Sequence, residues 1–218
     1  MTTWLVVGLG NPGPTYAFHR HNAGYLVVDD LARRARTTFA APRGMKADVA
    51  ETRITAAGVG GIGADADKLV LMRSRTYMNE SGSSVAKVAR FFQVKPDHII
   101  AVHDELDIDF GQLRLKFGGG DNGHNGLKSM RRCLGTGDFF RVRVGIGRPL
   151  GSQAPADYVL STVPAAQRED VAVDVARAAD AVATLIIVVV AVGVVTASWF
   201  IANAERKRRR EMAAAAHA

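Results

Sequence analysis

The sequence has little cysteine and few aromatic residues. Its single cysteine, Cys133, excludes an internal disulfide and any cysteine-rich zinc site, and this usage is typical of the reducing cytosol. A buried structural thiol is a commoner role for a lone cysteine than a catalytic nucleophile. The chain also has no Gly-x-Ser-x-Gly nucleophile elbow, and no His, Asp and Glu spacing argues for a metal site. If the protein is an enzyme, these absences favour acid–base catalysis by other side chains over a serine nucleophile or a metal ion.

Basic residues exceed acidic residues only modestly. The chain has 28 basic and 21 acidic residues, and five of the basic ones are crowded into residues 206–210. Residues 1–180 contain 23 basic and 19 acidic side chains, so the expected folded body has a net charge of +4. That excess suits a polyanionic partner without requiring one. No charged leader precedes the apolar run WLVVGLG, so we expect no signal peptide.

Short apolar runs of strand length alternate with helical patterns, which predicts an α/β domain with a largely internal sheet. A length of 218 residues with 48% hydrophobic content suffices for one core and a small appendage. The patterns predict strands over residues 4–8, 48–54 (at an edge), 68–72, 99–103, 112–117 and 141–145. They predict helices over residues 22–36, 81–92 with Ser81 as its cap, 125–134, and from 165 onward.

Residues 8–13, GLGNPG, match the dinucleotide fingerprint G-x-G-x-x-G after a strand. Asp29 and Asp30 follow at about the ~20-residue spacing that a ribose contact would have. However, Pro12 and Pro14 bracket the third glycine, where the fingerprint needs a helix to open, and both aspartates lie within a helical pattern. A tight turn that needs glycine backbone angles therefore explains the motif better than nicotinamide binding does.

Polar side chains are concentrated in loops that follow strand ends, where ligands bind in open α/β sheets. These residues are Asn11, Tyr16, His21, Asn22, Asn79, Asp104, Glu105, His124 and Asn125. A histidine can take a proton from water, and a carboxylate on its other ring nitrogen fixes the tautomer and stabilises the imidazolium. His21 and Asp104 would supply that pair. Asparagine amides suit an amide-containing substrate and a developing oxyanion. Water attack without a covalent enzyme intermediate is the simplest prediction.

The densest basic neighbourhood of the body surrounds the glycine-rich loop at residues 118–123. It comprises Arg114, Lys116, Lys128, Arg131, Arg132, Arg141 and Arg143. The strand residues lie two apart, so each pair would point to one side of the sheet, as phosphate contacts need. The helical members share a face that could equally be a solvated surface.

Five segments in order, GLGNPGPTYAFHRHNAG, TYMNESG, HDELD, GGGDNGHNGLKS and FRVRVGIGRP, strongly resemble the bacterial peptidyl-tRNA hydrolase family. The similarity runs from about residue 4 to residue 186, and five ordered motifs make it highly specific. The resemblance implies a monomeric, cytoplasmic, single α/β domain with a mixed, mostly parallel twisted sheet flanked by helices. It also implies hydrolysis of the ester between the peptide and the tRNA 3′ ribose, without a metal or an organic cofactor.

The resemblance further implies roles for matching residues. His21 is the general base, and Asp104 orients it and helps to bind the 3′ end. Asn11, Asn79 and Asn125 position the peptide and its carbonyl. A peptidyl group presents a neutral amide where an aminoacyl-tRNA presents a charged amine, so hydrogen-bonding amides could discriminate between the two.

The resemblance places the remaining matched residues near the tRNA. His124 lines the same cleft as a substrate-binding residue with a supporting role. Tyr16 and Tyr77 stand beside the 3′ adenosine, although phenylalanine is more usual at the second position; a base can stack on either ring. Lys116 and Arg143 match the pair that grips the tRNA 5′ phosphate, and Arg114 would assist them.

The C-terminal part departs from the family, which has an amphipathic terminal helix there. We therefore divide the chain into a catalytic domain, residues 1–186, and a divergent segment, residues 187–218. Residues 181–204 form a charge-free apolar stretch long enough to span a membrane, followed by ERKRRRE. The basic cluster predicts a cytoplasmic C-terminus, which would place the catalytic body on the side without peptidyl-tRNA. Three explanations stay open: a gene-level alteration, a tail anchor with a cytoplasmic body, or a terminal helix packed on the body or a partner.

Two other function classes stay open beside the hydrolase. A noncatalytic RNA-binding protein on the same fold would share the basic surface but would have no need of the pair formed by His21 and Asp104. A nicotinamide-dependent enzyme would instead bind a dinucleotide at residues 8–13.

Overall fold

The computed structural model describes residues 1–149 and 151–215. The chain divides into two compact units, Met1–Ala183 and Thr184–Ala218. The first unit contains the whole sheet and all but the C-terminal part of the last helix. The second unit is helical through Ala215.

Within the residues that the structure describes, seven strands and five α-helices follow one another. The strands are β1 (Thr3–Gly8), β2 (Ala47–Thr55), β3 (Gly58–Val59), β4 (Asp67–Ser74), β5 (Ile99–Glu105), β6 (Leu113–Phe117) and β7 (Phe140–Gly145). The helices are α1 (Ala23–Arg34), α2 (Ser81–Phe91), α3 (Asn125–Leu134), α4 (Pro155–Val159) and α5 (Arg168–Ala215). Short 3₁₀ turns precede α1, α2 and α5.

The strands form one sheet in the order β3-β2-β4-β1-β5-β7-β6. The central strands β4, β1, β5 and β7 are parallel to one another. The strands β2 and β3 on one side, and β6 on the other, run antiparallel to their neighbours. The predicted mixed sheet with a mostly parallel centre is confirmed. Because β1 and β5 are central neighbours, the loops that leave their carboxyl ends meet at one edge of the sheet.

Alternate residues of β1 face different helices, as the two-residue period of a strand requires. Leu5 and Val7 belong to a buried apolar cluster that includes residues of α2 and α3. Gly8 faces the other side, where a Cβ would meet the backbone oxygen of Gly24 and the side chain of Val28 in α1. The sheet is therefore covered by helices on both faces, which explains why its central strands read as continuous apolar runs.

Several predicted boundaries were wrong by one to three residues. The helix predicted from residue 22 begins at Ala23, after a 3₁₀ turn that contains His21. Ser81 is the first residue of α2 and not its cap, because its hydroxyl donates to the Tyr77 carbonyl. The last helix begins at Arg168 and not at residue 165. The two-residue strand β3 and the five-residue helix α4 carried too little periodicity to be predicted.

Among the described residues, one helical segment, Ala165–Gly193, is long and apolar enough to cross a bilayer. A buried core helix of a soluble protein can be equally long and apolar, so this segment alone is weak evidence of a membrane span. Ala178, Ala179 and Val182 of this segment are buried in the first unit. All five basic residues at 206–210 and the end of the predicted span lie where only the helical backbone is described.

Candidate active site

A cleft of about 720 Å³ lies at the carboxyl end of the central strands. Its wall includes residues from the loop after β1, the turn before α2, the end of β5, the N-terminus of α3, and α4. The predicted site residues that line it are Asn11, Tyr16, His21, Tyr77, Asn79, Asp104, His124 and Asn125. Tertiary structure thus brings together every predicted residue of the catalytic and peptide-contacting set.

His21 and Asp104 are in direct contact on the wall of this cleft. Nδ1 of His21 lies 2.9 Å and 3.0 Å from the two carboxylate oxygens of Asp104, and both side chains are buried. Nδ1 must carry the proton, because a carboxylate can only accept. The other ring nitrogen, Nε2, therefore has the free lone pair, which is the arrangement that a general base needs.

His124 makes a second contact with the same carboxylate. Its Nε2 lies 3.1 Å from Oδ1 of Asp104. Burial by itself would raise the pKa of Asp104, but electrostatic attraction to the ring N–H groups of His21 and His124, and the hydrogen bonds that they donate, hold it well below its usual range. Asp104 is thus an anion throughout the physiological range.

The amide of Asn11 is held in one orientation by its neighbours. Its Oδ1 accepts a hydrogen bond from the backbone N–H of Met78 at 2.8 Å. Asn22 fixes the Asn11 backbone, accepting from its N–H at 2.9 Å and donating to its carbonyl at 3.0 Å. With Oδ1 occupied, the Nδ2 donor of Asn11 is the group that this side chain offers to the cleft.

The remaining predicted cleft residues are more accessible. Asn79 precedes α2, Asn125 is the first residue of α3, and both are exposed. The rings of Tyr16 and Tyr77 lie edge to face with centroids 6.3 Å apart. The Tyr77 side chain is exposed at the rim, where a planar group could stack on it.

The predicted strand cations lie on one face of the β6–β7 ladder. Arg114 stands opposite Arg143, and Lys116 stands opposite Arg141. Arg114 and Lys116 are exposed, whereas Arg143 is ion-paired with Glu105, its Nη2 lying 2.9 Å from Oε2. Lys116 and Arg143 are therefore diagonal neighbours, and only Lys116 of the two projects from an exposed edge strand.

The sequence placed Arg141 among the strand cations suited to phosphate contacts, but in the structure it has another role. Its side chain is buried and its guanidinium donates to the carbonyls of Gly119 and Gly120. Burial, followed by the charges of Arg131 and Arg143, lowers the pKa of this guanidinium. Arg141 thus anchors the glycine-rich loop that leads to His124.

Two glycines of the dinucleotide-like motif, Gly8 and Gly10, pack closely against protein atoms, whereas Gly13 has a φ of +103° and nothing within 4 Å. A Cβ on Gly10 would lie 2.6 Å from the Tyr25 ring, and one on Gly8 would lie 2.4 Å from the Gly24 oxygen. Asp29 pairs with Arg73, and Asp30 pairs with Arg33 and Arg34, so neither faces a ribose site. Close packing of α1 therefore accounts for Gly8 and Gly10, and the positive backbone angle of the following turn accounts for Gly13.

Among the described residues, one group of His, Asp and Glu side chains is close enough to share a metal ion. It consists of His21, Asp104 and His124, whose candidate ligand atoms lie within 4.8 Å of one another. These atoms already satisfy one another by hydrogen bonds, so the group is explained without an ion. That the site takes no metal stays a prediction. Cys133 is exposed on α3 and does not line the cleft.

The sequence did not reveal the structural roles of three residues that support the site. Asn22 was seen as a neighbour of His21, Glu105 as a neighbour of Asp104, and Arg141 as one more surface cation. Their adjacency to site residues was the available signal. Their hydrogen-bond partners lie 11, 38 and about 20 residues away along the chain.

Comparison with known proteins agrees with the geometry. The family model described as peptidyl-tRNA hydrolase matches residues 5–200. The chain is 59% identical to the peptidyl-tRNA hydrolase of Cutibacterium acnes over 185 residues, which is 85% of this chain and 92% of that protein. It is 50% identical to that of Mycolicibacterium smegmatis over 182 residues, 84% of this chain and 90% of that protein.

A solved structure gives the same result for the fold. The crystal structure of peptidyl-tRNA hydrolase from Acinetobacter baumannii superposes with a TM-score of 0.71 at 34% sequence identity, covering 82% of this chain and 85% of that chain. The resemblance seen in the five sequence motifs is thereby confirmed. The chain belongs to the peptidyl-tRNA hydrolase family, whose enzymes cleave the ester bond of peptidyl-tRNA.

Proposed function

We propose that this chain releases peptides from tRNA by means of a water molecule activated by His21, and so recycles tRNA from stalled or abandoned translation. The observation that carries the proposal is the contact of Nδ1 of His21 with the Asp104 carboxylate at 2.9 Å in a cleft lined by asparagine amides. A noncatalytic RNA-binding protein would have no use for this arrangement.

The chemistry follows from the protonation states. Nε2 of His21 takes a proton from water while the oxygen attacks the ester carbonyl, and Asp104 stabilises the imidazolium that forms. The Nδ2 donor of Asn11 stabilises the oxyanion of the tetrahedral intermediate. The intermediate collapses when the imidazolium returns the proton to the departing 3′ oxygen. The products are a peptide with a free carboxylate and a tRNA with a free 3′ ribose hydroxyl.

The amides of Asn79 and Asn125 hold the peptide and its carbonyl. A site built for the neutral amide of a peptidyl group leaves these polar groups badly matched when an aminoacyl-tRNA brings a charged amine. Each unmatched group costs about 1 to 3 kcal/mol. Two such contacts would give a useful preference for peptidyl-tRNA over the aminoacyl-tRNA that translation needs.

The tRNA contacts extend from the cleft to the β6–β7 ladder. The 3′ adenosine stacks beside Tyr16 and Tyr77, which both line the cleft. Lys116 and Arg143 bind the 5′ phosphate with help from Arg114. The ion pair with Glu105 holds the Arg143 guanidinium in place but leaves Lys116 as the stronger net attraction for phosphate.

We further propose that the protein acts as a cytoplasmic monomer without a metal or an organic cofactor. Residues 1–186 form the catalytic domain, and residues 187–218 form the divergent segment. Any membrane association of the protein occurs through residues 181–204. Flotation of the full-length protein with phospholipid vesicles tests this last point, since a packed soluble helix would remain in the aqueous fraction.

The central test is release of the N-acetylated amino acid from N-acetylated aminoacyl-tRNA by the purified full-length protein. The wild type is expected to release it, with a strong preference over the unblocked aminoacyl-tRNA. His21→Asn preserves a polar side chain but removes the base, so its rate is expected to fall by about a thousandfold or more. Equal rates would reject the activation of water by His21. Binding of deacylated tRNA by an inactive wild type would favour the noncatalytic alternative.

A further inference from the structure

The side chain of His124 occupies a position between two fixed partners. It is the N-terminal cap of α3, and its Nδ1 accepts hydrogen bonds from the backbone N–H groups of Gly126 at 3.1 Å and Leu127 at 3.4 Å. Its other nitrogen, Nε2, faces Oδ1 of Asp104 at 3.1 Å. Both ring nitrogens are therefore in use before any substrate arrives.

These partners determine where the His124 proton is. A backbone N–H can only donate, so Nδ1 must have its lone pair free to accept, and the proton must be on Nε2. A doubly protonated ring would direct a third N–H at the two helix donors. The imidazole is therefore held as the neutral Nε2–H tautomer, and that N–H donates to Asp104.

We propose that His124 is a positioning residue that fixes the Asp104 carboxylate for His21, and that it is not a contact for the peptide or the tRNA. This inference rests on the proposed function of the dyad. It replaces the substrate-contacting part that family resemblance suggested for His124.

The geometry explains why Asp104 needs a second donor. Nδ1 of His21 is nearly equidistant from the two carboxylate oxygens, so this contact alone would allow the carboxylate to rotate about its own axis. The donor from His124 singles out Oδ1. Because His124 is the cap of α3, the carboxylate is tied through it to the backbone of a helix. Rigid supporting contacts of this kind hold catalytic groups in productive geometry.

The surroundings bring no second charged side chain to this contact. The titratable side chains around the Asp104 carboxylate are His21, His124 and His103. The buried ring of His103 meets the ring of His124 edge to face, with centroids 4.9 Å apart, and its Nδ1 lies 2.7 Å from the Asp104 backbone oxygen. Burial, followed by the proximity of His124, lowers the pKa of His103 to about 3. A neutral His103 therefore brings no competing charge to the contact.

The test separates the cap of α3 from the contact with the carboxylate. Asparagine is a good helix cap but is too short to reach Asp104 from this position, so His124→Asn is expected to keep the fold while losing the donor. We expect its kcat on N-acetylated aminoacyl-tRNA to fall roughly tenfold, which is the effect of one lost hydrogen bond to a charged group, with KM changed less than about twofold. A rise in KM with an unchanged kcat would identify a substrate contact and overturn the proposal, as would wild-type kinetics.

A second measurement does not depend on activity. Two-bond ¹H–¹⁵N correlation spectra of the ¹⁵N-labelled wild type distinguish protonated from unprotonated ring nitrogens. We expect His124 to carry its proton on Nε2 alone at neutral pH. A proton on Nδ1 would overturn the inference. An inactive wild type with the expected His124 tautomer would reject the proposed function while leaving the contact between His124 and Asp104 established.

Discussion

The side chain of Asn22 makes two reciprocal hydrogen bonds with the backbone of Asn11, accepting from its N–H at 2.9 Å and donating to its carbonyl at 3.0 Å. This pairing imitates one rung of a β-ladder and closes the loop between β1 and α1. Because Asn22 directly follows His21, the same turn that presents the base also fixes the backbone of Asn11. Asn11 and His21 are thus one structural unit.

The first prediction concerns this closure. Asn22→Ala leaves both backbone groups of Asn11 without a partner in a buried place, so we expect the free energy of unfolding to fall by about 2 to 4 kcal/mol. The kcat/KM for N-acetylated aminoacyl-tRNA should fall at least about tenfold, since Asn11 loses its fixed position. Urea denaturation and initial-rate kinetics measure the two effects.

Ser83→Ala is the matched control for Asn22→Ala. The Ser83 hydroxyl also donates to a backbone carbonyl, that of Glu80, but it does so on an exposed surface. We expect its removal to change stability by less than about 0.5 kcal/mol. Equal destabilisation by both substitutions would show that the buried Asn22 hydrogen bonds stabilise the protein no more than an exposed one does.

The second prediction concerns the close approach of α1 to the sheet. A Cβ on Gly24 would lie 2.2 Å from the Val102 oxygen and 2.4 Å from the Leu9 nitrogen, and neither backbone atom can move aside locally. Gly24→Ala should therefore destabilise the protein by more than about 3 kcal/mol, despite alanine's better helix propensity. Gly120→Ala, with nothing within 4 Å of the new Cβ, should stay within about 0.5 kcal/mol of the wild type. Equal urea midpoints for the two variants would contradict the packing argument.

The third prediction concerns stability and pH. Burial lowers the pKa of His103 from 6.5 to about 3, so the unfolded chain takes up a proton before the folded one does as the pH falls. This contribution to stability is fully present above pH 6.5 and is lost progressively as the pH falls toward 3. His103→Asn keeps a donor for the Asp104 carbonyl but does not titrate. Its free energy of unfolding should therefore change less than that of the wild type between pH 7 and pH 4.5.

Denaturant titrations at several pH values measure this difference. The window stops at pH 4.5 because Asp104 contributes below it: its pKa is depressed, so its stabilisation is present above an ordinary aspartate pKa of about 3.9 and is lost as the pH falls further. Parallel curves for the two proteins above pH 4.5 would show that His103 is not held neutral by burial.

The fourth prediction concerns attraction to tRNA. Lys116 is exposed on the edge strand β6, so Lys116→Gln should weaken binding of deacylated tRNA and reduce the slope of log Kd against log salt by about 1. Lys87→Gln, on the exposed surface of α2, is the control and should leave the slope unchanged. A slope that responds equally to both substitutions would indicate general electrostatic attraction instead of a phosphate contact at β6.

The elements of the fold could be predicted largely from local patterns. Buried parallel strands such as β5 read as apolar runs, and the period of α3 distinguishes its buried face, because each pattern reflects burial on a fixed geometry. The prediction of the cap of α2 was wrong, although it also rested on a local pattern. Ser81 has the residue type of a cap, but its hydroxyl found the Tyr77 carbonyl, a choice that depends on how the preceding turn is folded.

The sequence by itself determined the residue types that the chemistry needs, and the five ordered motifs were enough to indicate the family. Only the tertiary structure decided how those residues are connected. His21 and Asp104 are 83 positions apart, and they meet because β1 and β5 are neighbours in the sheet and direct their following segments to one edge. The structure likewise decided that Arg143 is paired with Glu105 and that His124 caps a helix. Such pairings depend on strand register and helix position, which are set by packing of the whole core and not by any local run of residues.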